Sequence, residues 1–250
     1  MGVWRTIRKI WATLGAAALL IFTTWSLLSY RARPEATAAL EGNDRVAVTR
    51  GEGFWTFAPT QPAAVGLIFF PGALVAPAAY APIAQAVAAG GYTVVLVELP
   101  RRGAFGGADS PEIFARTDAA TRSAAPVARW VVGGHSRGGV VASKLVHQGG
   151  RNLAGLVLIG TSHPRDFSLA NAPLPVTRVF GTRDTIADVE KLDATRDNLP
   201  PGTRLVRIDG GNHSQFGQYG FQPGDWPATI DRETQHRITV DAILSMLRTR

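Results

Sequence analysis

Gly134-His135-Ser136-Arg137-Gly138 is the stretch on which the reading of this chain turns. It follows the apolar run Val127–Gly133 and leads into a helical pattern, Val140–Val146. A Gly-x-Ser-x-Gly run between a strand and a helix forms a turn so tight that its serine is forced out of the sheet, the nucleophile elbow. Glycines flank the serine because any Cβ there would collide with the crowded strand and helix. Five residues with three fixed positions arise easily by chance. The weight comes from the placement of the motif and from the partners found downstream.

The surrounding pattern supplies a frame. Val65–Phe70, Tyr92–Leu99, Trp130–Gly133, Leu153–Gly160, Val176–Gly181 and Arg204–Ile208 read as strands. Ala78–Ala89, Pro111–Ala125, Gly139–Gln148, Asp188–Asn198 and Ala228–Leu247 read as helices. Strands apolar on both faces, alternating with helices, predict an α/β protein with a mostly parallel sheet covered on both sides. Arg45–Arg50 and Gly53–Phe57 read as an antiparallel hairpin about Gly51-Glu52. Only Thr161–Pro175 is available where a lid could be inserted, so any cap must be minimal.

The chain has 250 residues and a formal charge of +7. Position removes most of the meaning of that charge. Residues 1–33 hold five basic residues and no acidic one, while residues 34–250 hold 21 basic and 19 acidic, a net of +2. No basic stripe with interleaved aromatics is visible, so nucleic acid is not an expected partner. Cysteine is absent, which excludes disulfides, thiolate metal sites and a cysteine nucleophile. No cofactor or metal is implied.

Ile10–Tyr30 runs 21 residues without a charge. As a helix it spans roughly 31 Å, close to the hydrocarbon thickness of a bilayer. Trp11 near one end and Trp25 and Tyr30 near the other suit the headgroup interface. Ala36-Thr37-Ala38 could serve as a signal-peptide cleavage site, but the apolar run is long for a signal and Arg31, Arg33 and Pro34 interrupt the approach. The expectation is an uncleaved single-pass anchor at 1–34, linker and leading strands at 35–64, and a catalytic domain at 65–250. Basic residues flank both ends, and the N-terminal amine tips orientation slightly toward an extracytoplasmic catalytic domain.

A serine hydroxyl needs an adjacent base, usually histidine, oriented by a carboxylate. On an elbow of this kind the chain order is Ser, then Asp or Glu, then His. Of five histidines, His135, His147 and His163 come before any acid on a later strand. His236 lies inside the terminal helix, which leaves His213, in the glycine-rich Asp209-Gly210-Gly211-Asn212-His213-Ser214. Asp184, after the strand Val176–Phe180, is the preferred acid, with Asp166 and Asp188 as rivals. An oxyanion needs two preorganised N–H donors. The Arg137 amide is one. The second is expected from Pro71-Gly72-Ala73-Leu74, with Ala73 preferred over Leu74.

With these blocks in place, the chain from about Val65 resembles a serine hydrolase of the α/β-hydrolase fold. More narrowly it resembles the compact bacterial branch called α/β-hydrolase family 5. The match rests on Phe70-Pro71-Gly72-Ala73 with Tyr80-Ala81-Pro82, on Gly134–Gly139, and on Asp209–Gly217, which continues through Tyr219-Gly220 and Gln222–Asp225. The resemblance implies Ser136, Asp184 and His213 as triad, in agreement with the chain-order argument. Dienelactone hydrolases share the architecture but use cysteine, which argues against that activity here.

The expected function is therefore hydrolysis of small or medium carboxylic esters through an acyl-enzyme. A peptidase or amidase with the same triad, and a ligand-binding relative whose catalysis has decayed, are the alternatives. Arg101, Arg102 and Arg137 lie near the C-terminal edge of the sheet and could attract an anionic substrate. Phe216, Tyr219, Phe221 and Trp226 could wall an acyl pocket or pack their loop onto the body.

Overall fold

The computed structural model describes residues 2–104, 106–124 and 126–250. Eight strands form one sheet: β1 (Val46–Gly51), β2 (Phe54–Pro59), β3 (Val65–Phe70), β4 (Val94–Val97), β5 (Arg129–His135), β6 (Leu153–Ile159), β7 (Val176–Gly181) and β8 (Arg204–Ile208), in the order β1-β2-β4-β3-β5-β6-β7-β8. β1 and β2 form an antiparallel hairpin, and β2 runs antiparallel to β4; every other pairing is parallel. The hairpin turns at Glu52-Gly53, where Gly53 takes a φ of +76°.

Side chains alternate across the sheet as the two-residue period demands. Leu67, Phe69, Val94, Leu96, Val131 and Val157 join one core, and Ile68, Phe70, Val95, Val97, Val132 and Leu156 the other. Helices α3 (Ala81–Ala89) and α7 (Arg232–Arg248) cover the first face. Helices α4 (Pro111–Ser123) and α5 (Arg137–Gln148) cover the second. Thr161–Pro175 contains no helix or strand, so no lid domain stands over the sheet edge.

Several boundaries differ from the sequence pattern, each for a local reason. The helix expected at Ala78–Ala89 begins as a 3-10 turn, Pro77–Tyr80. The one expected at Pro111–Ala125 ends at Ser123, and Ala125 lies outside the described residues. The one expected at Asp188–Asn198 breaks into a short α6 (Val189–Asp193) and a 3-10 turn, Arg196–Asn198. There Arg178 Nη1 takes the Leu192 carbonyl at 2.9 Å, and the Thr195 hydroxyl bonds back to Leu192 at 3.2 Å. Side chains that claim backbone carbonyls compete with the helix ladder. The terminal helix starts at Arg232 rather than Ala228, because Asp231 caps it by accepting from Thr234 N–H at 2.6 Å.

The N-terminal helix α1 (Gly2–Ser29) has no buried residue. At 28 residues it extends about 42 Å. It is long and apolar enough to cross a membrane, and none of its residues is buried as those of a core helix would be. Its C-terminal end is nonetheless fastened to the body. Gly220 N–H donates to the Ser29 carbonyl at 2.7 Å, Ala76 N–H to the Tyr30 carbonyl at 2.9 Å, and Arg33 N–H to the Gln218 carbonyl at 2.9 Å. The Tyr30 ring stacks on Tyr219. After it, α2 (Pro34–Ala38) buries Ala36.

His236 sits buried on α7, and burial together with nearby Arg232 pushes its imidazole down to about 4. The unfolded chain would titrate it near 6.5. Between those values the unfolded state binds the proton and the folded state does not, so stability falls as pH drops from about 6.5 to about 4 and is unaffected above. A full shift of this size corresponds to about 3 kcal/mol. We expect the urea midpoint of the chain to fall more between pH 7 and pH 4.5 than that of His236→Gln. Equal pH dependence of the two would remove His236 from the acid response.

Candidate active site

Ser136 stands between β5 and α5 with φ 52° and ψ −116°, a left-handed conformation that a non-glycine residue takes only when its surroundings impose it. The imposition is visible. A Cβ on Gly138 would overlap the Phe70 carbonyl at the end of β3, and a Cβ on Gly134 would overlap Gly138 itself. Ser136 N–H is fixed to the Ile159 carbonyl at 2.9 Å, at the end of β6. The side chain is half exposed at the C-terminal edge of the sheet.

Two of the expected partners meet directly. His213 Nδ1 lies 2.8 Å from Asp184 Oδ2, with both side chains fully buried. The other oxygen of Asp184 accepts from the N–H groups of Ile186 at 2.9 Å and Ala187 at 2.8 Å. Those bonds lock the carboxylate and leave only one oxygen for the ring. The rivals are engaged elsewhere or remote: Asp188 caps α6 and pairs with Lys191 at 2.6 Å, and Asp166 is exposed.

His213 and Ser136 line the same cavity of about 230 Å³. Their hydrogen bond is not closed: His213 Nε2 is buried without a partner among the described residues. Such bonds are often long in unliganded enzymes and tighten with substrate.

The amides of the loop after β3 differ in their partners. Gly72 N–H donates to Tyr80 Oη at 3.0 Å and Leu74 N–H to the Arg102 carbonyl at 2.7 Å. Leu74, the rival donor, is thus taken, and Ala73 N–H between them has no partner among the described residues. Arg137 N–H belongs to the first turn of α5, where helix amides have no intrahelical acceptor.

Four features of the site were not read from the sequence. Asp225 is buried and accepts from His213 N–H at 3.2 Å, Ser214 N–H at 2.8 Å and the Ser214 hydroxyl at 2.7 Å. Gln235 of α7 exchanges two hydrogen bonds with the Asn212 backbone, at 3.0 and 2.7 Å. The loop that carries His213 is therefore gripped from both sides. His135 is buried against His213, with ring centroids 4.4 Å apart. Its Nδ1 lies 2.8 Å from Tyr80 Oη. No other acceptor among the described residues takes the Tyr80 proton, so the phenol donates to Nδ1. Burial and the neighbouring His213 hold His135 well below its usual value, hence neutral. Finally, fully buried Arg178 on β7 donates to the His163 carbonyl at 2.9 Å and so holds the cavity wall Thr161–Arg165.

That wall is polar. Arg165 bonds to Ser162, and both line the cavity with Thr161 and His163. The aromatic residues 216–226 do not line it. Phe216 and Tyr219 are fully buried in the core of the body, while Phe221 and Trp226 are exposed. Arg137 lines the cavity, but its guanidinium is spent on the Gly106 carbonyl at 2.5 Å; Arg101 and Arg102 do not line it.

A strand-ending serine elbow with an acid and a histidine on later loops of one parallel sheet defines an α/β hydrolase architecture. The family model described as "Alpha/beta hydrolase family" matches residues 66–237, and the chain belongs to that family. Among solved structures it is similar to the esterase domain of a Rhodothermus marinus protein, with a TM-score of 0.58 and 13% identity over 82% of this chain and 98% of that one. It is similar also to a dienelactone hydrolase from Anabaena variabilis, with a TM-score of 0.58 and 14% identity over 82% of this chain and 100% of that one. A carboxylesterase from Bacillus subtilis aligns with a TM-score of 0.51 and 12% identity over 74% and 90% of the two chains. At such identities these likenesses are of fold. No curated protein sequence matches the chain.

Asp225→Asn puts an amide NH₂ where one of three donors now points. A charge-assisted bond of this kind contributes about 1.5–3 kcal/mol. We expect kcat for a soluble ester to fall about 10- to 100-fold with KM little changed, as His213 loses its position. Unchanged kcat would show that Gln235 alone suffices to hold the loop.

Proposed function

We propose that this chain is a membrane-tethered serine hydrolase that cleaves small or medium carboxylic esters through an acyl-enzyme. The observation that carries the proposal is the left-handed Ser136 on a cavity shared with His213, whose far nitrogen is held by Asp184. Ser136 Oγ attacks the ester carbonyl, and His213 Nε2, which has no competing partner among the described residues, takes its proton. Asp184 keeps the other ring nitrogen protonated and stabilises the imidazolium. The N–H groups of Ala73 and Arg137 stabilise the tetrahedral oxyanion. His213 then returns the proton to the leaving alkoxide, and water repeats the sequence on the acyl-enzyme.

A cavity of about 230 Å³ lies below the size typical of sites for drug-sized ligands, which supports small acyl groups. The likeness to an esterase domain and to a carboxylesterase is of fold, and an ester substrate is in keeping with it. The serine at the elbow and the absence of cysteine argue against the thiol chemistry of dienelactone hydrolases.

What supports the anchor is α1, which has no buried residue and is fastened at its C-terminal end. Cleavage after Ala38 would strip Tyr30, Arg33 and buried Ala36 from the body. We place the catalytic domain on the extracytoplasmic side, following the slight charge bias of the flanks.

Ser136→Ala should abolish labelling by a fluorophosphonate probe and lower ester turnover by several orders of magnitude while the fold persists. Asp184→Asn should lose far more activity than Asp166→Asn or Asp188→Asn. Full activity in Ser136→Ala would sink the serine mechanism, and a larger loss at either rival acid would move that role there.

Chain length gives a separate test. Each buried methylene adds about 0.8 kcal/mol only where a wall exists to cover it, and Thr161–Pro175 builds no cover. In a p-nitrophenyl ester series we expect the highest kcat/KM at roughly two to six acyl carbons. A maximum at long chains would reveal an acyl groove outside the cavity.

A further inference from the structure

We propose that the groove between the C-terminal end of α1 and the catalytic body binds one anionic phospholipid. The inference rests on the proposed membrane-spanning role of α1. The groove encloses about 720 Å³, three times the volume beside Ser136. Phe22, Leu27 and Tyr30 form its helix side, and Leu74, Arg101 and Arg102 its body side.

The position of the groove selects its occupant. With α1 in a bilayer, Phe22 and Leu27 lie at the depth of acyl chains. An apolar void with one wall in hydrocarbon fills with lipid rather than water. Tyr30 marks the headgroup level, and its carbonyl is bonded to Ala76 N–H, two residues from Leu74, which bonds to Arg102. Arg101 and Arg102 are exposed, and neither forms an ion pair among the described residues. Guanidinium groups bind phosphate oxygens in a bidentate fashion. Two arginines lining one groove give it a surplus of positive charge, which an anionic headgroup compensates better than a zwitterionic one.

The backbone adds an independent observation. Arg101 and Arg102 occupy consecutive left-handed conformations, φ 47° and 54°, which non-glycine residues rarely adopt. Arg102 N–H donates to the Leu99 carbonyl at 2.9 Å, and the Arg102 carbonyl accepts from Leu74 N–H at 2.7 Å. The turn holds the Arg102 backbone against Leu74, which lines the same groove. Through Leu74 it also adjoins Ala73, so the lipid would sit one residue from the proposed oxyanion donor.

The test uses the full-length chain reconstituted in vesicles of equal parts phosphatidylcholine and phosphatidylglycerol. Retained lipid is then counted by native mass spectrometry after extraction into detergent. The chain should keep one phosphatidylglycerol, in preference to phosphatidylcholine by about tenfold. The double variant Arg101→Gln/Arg102→Gln should lose the preference, and Leu27→Trp, which fills the groove, should lose the lipid with both arginines intact. Indifference to headgroup in the parent chain, or unchanged retention in either folded variant, overturns the site. Carbonate washing of membranes separates the two levels. A chain that carbonate strips off overturns anchor and lipid site together; one that stays but retains no phosphatidylglycerol overturns the lipid site alone.

Discussion

Three backbones converge at the elbow with no room for a side chain between them. The end of β3 at Phe70, the end of β5 at Gly134 and the first turn of α5 at Gly138 pack so closely that a methyl group at either glycine would overlap main-chain atoms. Close approach of this kind cannot be relaxed by a rotamer change, because backbone meets backbone. It forces Ser136 into a left-handed φ and thereby lifts Oγ off the sheet toward the cavity. It also fixes the serine relative to the loop after β3, where Ala73 N–H has no partner among the described residues. The proposed nucleophile and oxyanion donor are thus positioned by one steric constraint, without a hydrogen bond between them.

The histidine is held by other means. Its loop leaves β8 and is irregular, so no ladder fixes it. Hydrogen bonds from buried side chains do so instead: Asp184 at the ring, Asp225 at the backbone of His213 and Ser214, and Gln235 at Asn212. Each acceptor is buried, where an unpaired polar group is costly. The arrangement is therefore close to all-or-none. Losing one grip strands a buried donor as well as freeing the loop.

Sequence reasoning reached what is local or periodic. Gly-x-Ser-x-Gly, the both-faced strands and the order of acid and histidine along the chain could all be read without coordinates. Asp188, a rival acid by sequence position, instead caps α6. What escaped depends on loop paths. Asp225 follows His213 by 12 residues, and nothing in Tyr219–Asp225 states that the chain doubles back to bring its carboxylate to Ser214. Tyr80 reaches His135 across 55 residues. Arg178 breaks the apolar pattern of β7 and reads as an exposed position, yet it is buried because three carbonyl and hydroxyl oxygens await it. The same arginine explains why the helix expected after it is short.

The N-terminal helix connects to this network more tightly than a tether requires. A flexible linker would let the body move freely over a membrane. Here Ser29, Tyr30 and Arg33 bond through their main chains to Gly220, Ala76 and Gln218, and the Ser29 hydroxyl donates to the Phe221 carbonyl. Gly220 and Phe221 lie between His213 and its clamp Asp225, and Ala76 lies three residues from Ala73. The end of α1 therefore rests on both loops that flank the serine. Main-chain bonds of this sort fix direction as well as distance, so the tilt of the helix and the facing of the cavity are set together. If α1 spans a bilayer as proposed, the body is held at one orientation to its surface, because the end of the helix and the two loops are bonded to each other.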